Sequence, residues 1–396
     1  MAEGSSRLGR LAFVTPRFGD DVVGGSEAVL REAAEGLAAR GWEVDVLTTC
    51  ARDHYTWRNV YPEGVSRTAG LTLRRFPAAA PAVAERDALG RRILLGLPLS
   101  YVDQCAWINA TLRVPALFRY LLERAGDYRA VVVSPYLSWL TVACVEIVPE
   151  RTVLVPCVHD ESYAYLDLFR HALARPAALW FLSEPEHDLA HRLATLPRHT
   201  VTGAGVEVPG SYDPAGFRQK YGITRPFVLY AGRREPEKGW DRLLAGFEQA
   251  VERHGVPFDL VTIGAGEPII PASIAPRVRD LGFLDEADRN DAFAAAAAYL
   301  QPSANESFSR TVMEAWLAGT PVIATASGAV VRWHCERSQG GLVYADDAEL
   351  AQCLLLVAEA PRAARALAER GRAYVLEEYP WSRVLDRMEA ALETMA

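Results

Sequence analysis

The stretch LAFVTPRFGDDVVGGSEAVLREAAEGLAARGWEVDVLTT, residues 11–49, decides the fold of this chain. Its first five residues predict a strand, and residues 43–49 predict a second one. The segment that joins them carries four apolar residues at the spacing of one helical face: Leu30, Ala33, Ala34 and Leu37. Gly41 ends that helix. Strand, helix and strand in this order form a β-α-β unit, which implies parallel strands and a right-handed crossover.

The same alternation continues along both halves of the chain. Further strands are predicted at 130–134, 152–158, 179–182, 227–231, 260–264, 298–301 and 321–324. A linker rich in glycine and proline is predicted at 201–214, and 396 residues suit two domains. The sequence therefore predicts an α/β fold with two Rossmann-like domains, at 1–210 and 211–379, followed by an amphipathic helix at 380–396.

Composition excludes several classes of protein. The net charge is −8 with no long basic run, so we expect no nucleic-acid partner. The six cysteines lack paired metal spacing and are typical of free thiols in a reducing cytosol. The first ten residues are polar and do not resemble a signal peptide, and the apolar run 93–99 is too short to span a membrane. A cytoplasmic location is expected.

Two carboxylates, Glu306 and Glu314, lie in the stretch PSANESFSRTVMEA, residues 302–315. We predict a strand end, a short loop and then a helix capped by Ser309. Eight helical residues span about 12 Å, comparable to a sugar-diphosphate-ribose unit. One carboxylate could hold sugar hydroxyls and the other ribose hydroxyls, with helical N–H groups facing a diphosphate. The alternative is two solvated helix carboxylates.

A loop after the strand at 227–231 carries candidate phosphate ligands. Arg233 and Lys238 lie in the stretch GRREPEKG, and Lys238 is one of only two lysines among 42 basic residues. An arginine fork and a compact ammonium group both suit phosphate oxygens. The alternative is a surface loop with ordinary charges.

Two more candidates follow strands in the first half. Gly24 and Gly25 precede a helix, where the backbone can approach a phosphate or a sugar closely; the alternative is a tight turn. His159 follows the strand at 152–158, and it could bond a sugar hydroxyl or be structural. Ligands bind outside the carboxyl ends of open α/β sheets, so the sequence predicts one cleft lined by these groups.

Together these motifs resemble the family 4 retaining glycosyltransferases of the GT-B fold. The matching residues are Gly232-Arg233 with Glu237-Lys238-Gly239, Glu306 with Glu314, Gly24-Gly25-Ser26-Glu27, and His159. The resemblance covers nearly the whole chain. It implies transfer of a sugar from a nucleotide diphosphate to an acceptor with retention of configuration. It also implies that the terminal helix packs back on the first domain.

The resemblance also implies roles for individual residues. Arg233, Lys238, Glu306 and His159 would be catalytic. The donor would contact Gly24, Gly25, Gly232, Gly264, Phe283, Leu284, Ser307, Phe308, Ser309, Arg310, Thr311, Val312 and Glu314. Many members have glycine and leucine where this chain has Ser309 and Arg310. No D-x-D pair occurs, so positive side chains would replace a divalent metal. No cofactor is expected, and the base stays open among UDP, GDP and dTDP, because backbone atoms near 281–284 would read it.

The sequence is also compatible with two other functions on this fold. A sugar-nucleotide epimerase on the same fold would convert the donor without an acceptor, and a silent sugar-nucleotide-binding protein would convert nothing. A phosphorylase would need a Schiff-base lysine besides the one in the phosphate loop. The acceptor could be a bacterial glycan, a natural product or a lipid-linked molecule, the last with transient contact at the inner membrane face. Aromatic residues at 77–122 could serve such an acceptor or form an ordinary helical core.

Overall fold

The predicted β-α-β unit is present as strand β1 (Arg10–Val14), helix α1 (Gly25–Ala39) and strand β2 (Glu43–Thr49). β1 and β2 pair in parallel. The computed structural model describes residues 8–22 and 24–395, so the polar start of the chain, residues 1–7, lies outside it. The chain divides into unit 1, which ends at Gly205 and resumes at Trp381, and unit 2, Val206–Pro380.

The described part of unit 1 forms an eight-stranded sheet covered by helices. The remaining strands are β3 (Gly64–Thr68), β4 (Leu71–Phe76), β5 (Ala130–Val133), β6 (Thr152–Leu154), β7 (Ala178–Phe181) and β8 (Arg198–Val201). The helices are α2 (Val83–Leu94), α3 (Tyr101–Ala110), α4 (Pro115–Arg124), α5 (Trp139–Ile147), α6 (Asp167–Ala174) and α7 (Glu184–Leu193). The strand order is β3-β4-β2-β1-β5-β6-β7-β8, and only β3 pairs antiparallel with its neighbour.

Unit 2 forms a six-stranded parallel sheet in the order β11-β10-β9-β12-β13-β14. The strands are β9 (Phe227–Ala231), β10 (Asp259–Ile263), β11 (Val278–Asp280), β12 (Ala298–Gln301), β13 (Val322–Thr325) and β14 (Gly341–Tyr344). The helices are α8 (Pro214–Lys220), α9 (Trp240–His254), α10 (Glu286–Ala295), α11 (Arg310–Leu317), α12 (Ala329–Ser338), α13 (Asp347–Glu359) and α14 (Pro361–Glu378).

Both sheets are buried by helices, which explains the near-continuous apolar runs that predicted their strands. Every residue of β5, β9 and β12 is buried. The strand order reverses next to β1 in unit 1 and next to β9 in unit 2. Such points in parallel sheets open at the carboxyl ends of the strands, where ligands bind. The predicted α/β fold with two Rossmann-like sheets is thereby confirmed.

The last helix, α15 (Trp381–Glu393), belongs to unit 1. Leu385 packs so closely on α1 that a Cβ at Gly36 would overlap it. Arg40 bonds Asp386 at 2.7 Å and Glu389 at 2.5 Å. Apolar packing and ion pairs therefore hold α15 on the helix of the first β-α-β unit.

Two local predictions were wrong. The strand expected at 152–158 ends at Leu154, because Pro156 has no N–H for the ladder and Cys157 turns to a φ of 51°. Ser309 was expected to cap a helix with its side chain, but it takes a left-handed φ of 66° and makes no capping bond. The helix starts at Arg310 instead. The antiparallel pair β3–β4 was not predicted, because β3 is exposed along its whole length and lacks an apolar face.

Candidate active site

In unit 2, a lysine and a glutamate from two separate loops meet. Lys238 follows β9 and Glu306 follows β12, and these strands are neighbours in the sheet. Lys238 Nζ lies 2.8 Å from Glu306 Oε1 and 3.3 Å from the Asn305 carbonyl oxygen. Both side chains keep part of their surface exposed, 25% for Lys238 and 16% for Glu306. A cation and a carboxylate are thus presented together at the carboxyl edge of the sheet.

Glycine permits the backbone approach that builds this edge. Gly239, directly after Lys238, has a φ of 74°, and a Cβ there would overlap the carbonyl oxygen of Pro302. Gly264 has a φ of 129°, and a Cβ there would overlap the carbonyl oxygen of Gly232. The Gly264 N–H donates to Gly282 at 2.7 Å. The loops after β9, β10, β11 and β12 are therefore joined through their backbones.

Two adjacent arginines in the β9 loop serve different purposes. Arg233 is 43% exposed and pairs with Glu235 at 2.9 Å. Arg234 has no exposed side-chain surface and bonds Asp280 and the Gly264 carbonyl oxygen. Arg233 is therefore accessible to a ligand, whereas Arg234 ties the glycine loop to β11. Arg234 was not predicted from the sequence, because its position directly after a glycine-arginine pair gives no signal of burial.

Buried polar side chains fix the segment that carries Glu306. Gln301 Nε2 donates to Ser309 Oγ at 2.7 Å, and the Tyr299 hydroxyl donates to Thr311 Oγ1 at 2.8 Å. Burial raises the pKa of Tyr299 well above its ordinary value, so it stays a neutral donor. Ser309 is consequently tied to the end of β12, which explains why its side chain does not cap α11.

Glu314 makes an ion pair of its own. Its Oε1 lies 3.2 Å from Arg289 of α10, and its Oε2 is buried without a hydrogen-bond partner. Glu306 and Glu314 therefore lie on one segment, each beside a different cation. Arg289 was not predicted from the sequence. Its only available signal was its place on the helix that follows the predicted base-reading segment.

The other predicted donor residues divide by burial. Phe308 and Val312 are buried, and Phe308 packs edge-on against His334 and Tyr379, so only their backbone groups could meet a ligand. Phe283 is 66% exposed, with Leu284 half-buried beside it. Ser307 and Arg310 flank the start of α11 and are half-buried. Backbone groups and exposed side chains are therefore both available along this edge of unit 2.

In unit 1, the two glycines before α1 differ in their surroundings. A Cβ at Gly24 would overlap the carboxylate of Glu27, whereas a Cβ at Gly25 would meet nothing within 4 Å. Arg17 Nη2 bonds Glu27 Oε1 at 2.5 Å, and both side chains are largely buried. Gly24 is thus required by an internal ion pair, while Gly25 leaves open space at the helix start. Neither Arg17 nor Glu27 was predicted as a site residue.

His159 lies on the loop after β6 with 27% of its side chain exposed. Its Nδ1 is 3.7 Å from Glu161 Oε1, and the same oxygen accepts a 2.6 Å hydrogen bond from the Tyr136 hydroxyl. Burial and the neighbouring carboxylate raise the pKa of Tyr136 well above its ordinary value. Tyr136 therefore remains a donor that orients Glu161 beside His159.

A second glutamate lies beneath the His159 loop and was missed from the sequence. Glu186 of α7 is buried, and its carboxyl oxygens accept the N–H groups of Val158 at 2.9 Å and Leu182 at 2.7 Å. Burial raises the pKa of Glu186 to about 8, against the lowering effect of these backbone donors. The spacing Ser183-Glu184-Pro185-Glu186 matches a capping box and could have identified it.

An open groove in unit 1, with a volume of about 430 Å³, lies among α3, α4, α5 and α6. Its walls are mainly apolar and include Tyr101, Ile108, Phe118 and Trp139. Trp107, by contrast, is buried and stacks on Tyr163 at 5.1 Å. The aromatic residues at 77–122 thus divide between an internal core and a groove wall.

Within residues 8–22 and 24–395, no three His, Cys, Asp or Glu side chains are grouped so as to hold a metal ion. Over the same part of the chain, no helix combines the length and apolarity needed to cross a bilayer.

The fold and the residues at the strand ends are similar to those of GT-B glycosyltransferases. Residues 225–359 match the family "Glycosyl transferases group 1". The D-inositol 3-phosphate glycosyltransferase of Saccharomonospora viridis is 26% identical, covering 92% of this chain and 88% of that protein. The phosphatidyl-myo-inositol mannosyltransferase of Mycolicibacterium smegmatis is 30% identical over 48% of this chain; the match spans about half of that relative, 52%. The resemblance to glycosyltransferases that the motifs predicted is therefore confirmed by the match over residues 225–359 and by these relatives.

Solved structures show the same fold. Sucrose-phosphate synthase from Thermosynechococcus elongatus superposes with a TM-score of 0.74 at 19% identity, covering 98% of both chains. Anabaena HepE in complex with UDP-glucose has a TM-score of 0.71 at 16% identity and covers 97% of this chain and 99% of that one. The GT-B architecture is therefore confirmed.

Proposed function

We propose that this glycosyltransferase moves a sugar from a nucleoside diphosphate sugar to an acceptor with retention of configuration and without a metal ion. The observation that carries the proposal is the contact of Lys238 with Glu306 on the loops after β9 and β12. A cation for a diphosphate and a carboxylate for sugar hydroxyls are needed side by side at the glycosidic bond.

Charge development dominates the proposed reaction. The glycosyl carbon becomes oxocarbenium-like as its bond to the diphosphate oxygen breaks, and negative charge grows on the departing group. Lys238 and Arg233 bind that charge more strongly in the transition state than in the ground state. In the structure both cations are held by carboxylates, Glu306 and Glu235. Donor binding would exchange these carboxylates for phosphate oxygens and release Glu306 toward the sugar hydroxyls.

The remaining parts of the donor are assigned to other groups. The start of α11 offers backbone N–H groups to the diphosphate. Glu314 would accept from the ribose hydroxyls, exchanging its bond with Arg289. Backbone groups near Phe283 and Leu284 would read the base. The HepE structures in complex with UDP and UDP-glucose support a uridine donor as the first one to test.

His159 is proposed to contact the transferred sugar, with Glu161 setting its orientation. Retention would follow from attack of the acceptor on the face that the diphosphate leaves, and a stable sugar–enzyme bond is not required. The stereochemistry is tested by the anomeric configuration of the product, measured by NMR from an α-linked donor. An inverted product would refute this part of the proposal.

For the acceptor, the groove in unit 1 supports an amphiphilic or lipid-linked molecule. Exposed apolar side chains also occur just before α3 and in its first turn, including Leu95 at 73% and Val102 at 76%. Matched acceptors with and without an alkyl chain test this idea. The wild type should prefer the acceptor that carries the alkyl chain, and a Phe118→Ser variant of the groove wall should lose that preference. Equal use of both acceptors by both proteins would contradict the idea.

A donor panel separates the proposed reaction from its alternatives. The protein is incubated with UDP-, GDP- and dTDP-sugars, with and without acceptors, and products are measured by mass spectrometry and NMR. Sugar transfer or slow hydrolysis to the nucleoside diphosphate supports the proposal. Isomerised donor without acceptor would indicate an epimerase. Binding with neither transfer nor hydrolysis across the panel would indicate a silent binding protein.

A further inference from the structure

The backbone that leads to His159 departs from the sheet in a buried place. β6 ends at Leu154, Cys157 takes a φ of 51°, and Val158 is only 1% exposed. A buried N–H that has left the sheet ladder needs another acceptor. Here that acceptor is Glu186, which takes the Val158 N–H at 2.9 Å.

The same carboxyl group also serves the neighbouring strand. Glu186 Oε2 accepts the Leu182 N–H at 2.7 Å, just after β7, and backbone groups of Cys157 and Ser183 contribute further bonds. One side chain therefore joins the carboxyl ends of β6 and β7, which lie side by side in the sheet. A capping-box glutamate ordinarily bonds its own N-cap residue, and this one also reaches across to the next strand.

This arrangement fixes the position of the loop at its last buried residue. Val158 immediately precedes His159, so the bond to Glu186 sets where the His159 Cα lies. Beyond it, His159 has Glu161 near its ring, and that residue is held by Tyr136. The backbone before the histidine is therefore held by Glu186, and the Glu161 carboxylate lies beside its ring.

We propose that Glu186 is a positioning residue for sugar transfer, because it holds the backbone of His159 in place without touching the donor; this rests on the proposed role of His159. An amide in place of the carboxyl group keeps one acceptor oxygen and turns its NH2 group toward a backbone N–H, so the bonds to Val158 and Leu182 cannot both be kept and the joint between the two strand ends is disturbed. Displacing a group that contacts the reacting sugar lowers turnover without weakening the binding of a bare nucleotide.

The test compares Glu186→Gln with Glu184→Gln, which changes an exposed carboxylate on the same first turn of α7. For Glu186→Gln we expect kcat to fall roughly 10- to 100-fold while the Kd for UDP, measured by calorimetry, changes by less than about twofold. Glu184→Gln should match the wild type in both. Should Glu186→Gln be insoluble, Glu186→Asp keeps two acceptor oxygens on a shorter side chain and should give a smaller loss of the same kind.

A readout that does not need turnover is the ring signal of His159 in selectively ¹³C-labelled protein, assigned by its loss in His159→Ala. Glu186→Gln or Glu186→Asp should shift it, and Glu184→Gln should not. In the His159→Ala background, Glu186→Gln should lower kcat by less than about threefold, because both changes disable one group. The inference would be overturned if the His159 signal did not move in the Glu186 variants. It would also be overturned if Glu186→Gln lowered kcat as much in the His159→Ala background as in the wild type. A wild type that transfers nothing would refute the proposed function instead, and the His159 signal would still decide on Glu186.

Discussion

At the scale of single residues, the cations near the proposed donor site are each paired with a carboxylate. Lys238 binds Glu306, Arg233 binds Glu235, and Arg289 binds Glu314. Each partly exposed pair is worth little to stability, because solvent screens it. If the donor binds as proposed, its diphosphate can replace these carboxylates at small cost.

Replacing Lys238 by alanine is expected to lower kcat about 100-fold or more, since one charge-stabilising group on the leaving diphosphate is lost. The control is Lys220→Ala, the other lysine of the chain, which pairs with Asp288 on the surface and should leave kcat unchanged. Both variants should show wild-type circular dichroism. A near-normal kcat for Lys238→Ala would remove Lys238 from the mechanism.

Glu306→Gln is expected to harm the use of the sugar more than the binding of a nucleoside diphosphate. The amide donates where the carboxylate accepts from sugar hydroxyls, and it also releases Lys238 from its ion pair. We expect kcat/KM for the donor to fall about 100-fold while the Kd for UDP stays the same or tightens. Comparable losses in both quantities would contradict a sugar-specific role for Glu306.

At the scale of elements, the loop after β9 depends on Gly239, which combines a left-handed φ of 74° with contact to Pro302. Gly239→Ala should lower stability by about 2–4 kcal/mol and reduce kcat, because the added Cβ pushes Lys238 away from the β12 loop. Gly255→Ala is the matched control. It has a φ of 63° but open space around it, so it should cost about 1 kcal/mol and leave kcat intact. Denaturant melts and kinetics measure both, and equal behaviour of the two variants would refute the argument.

Strands were the elements that the sequence predicted best. Residues 227–231, 298–301 and 43–49 match β9, β12 and β2 at both ends. The clearest case is β9, FVLYA, because a buried parallel strand carries an apolar run. The chain between 154 and 159 could not be predicted in this way. Its path depends on the hydrogen bond that the Val158 N–H donates to Glu186, which lies on a helix about thirty residues later. The conformation of Ser309 likewise depends on the hydrogen bond from Gln301, so the preference of serine for helix caps did not predict it.

At the scale of the whole molecule, acid should destabilise the protein through His334. This histidine is buried in unit 2 against Phe308, and burial lowers its pKa from 6.5 to about 3. The unfolded chain takes up a proton first as pH falls, so this contribution is complete above about pH 7 and is lost progressively toward pH 3. Between pH 7 and 5.5 the loss from this group is about 1.3 kcal/mol.

The measurement is the free energy of unfolding in urea at several pH values for wild type, His334→Gln and His254→Gln. His254 lies exposed at the end of α9 and serves as the control. His334→Gln should be less stable at pH 7 but show a shallower decline on acidification, whereas His254→Gln should follow the wild type. Parallel curves for all three proteins would show that His334 does not titrate on unfolding.

Removal of divalent metals tests the proposed cationic mechanism as a whole. If Lys238 and Arg233 neutralise the diphosphate, EDTA should leave kcat within about twofold of its value, and added Mg²⁺ should restore nothing further. Strict dependence on Mg²⁺ would contradict the proposal that side chains alone stabilise the leaving group.

The sequence by itself determined the α/β class, the alternation of buried strands and helices, and the loops where charged residues gather. These follow from local periodicity and from the rule that parallel strands expose ligands at their carboxyl ends. Only the tertiary structure decided which residues meet: Lys238 with Glu306, Glu314 with Arg289, and Glu186 with the backbone before His159. Such contacts join segments far apart along the chain, and local pattern carries no information about which distant partner satisfies a buried polar group.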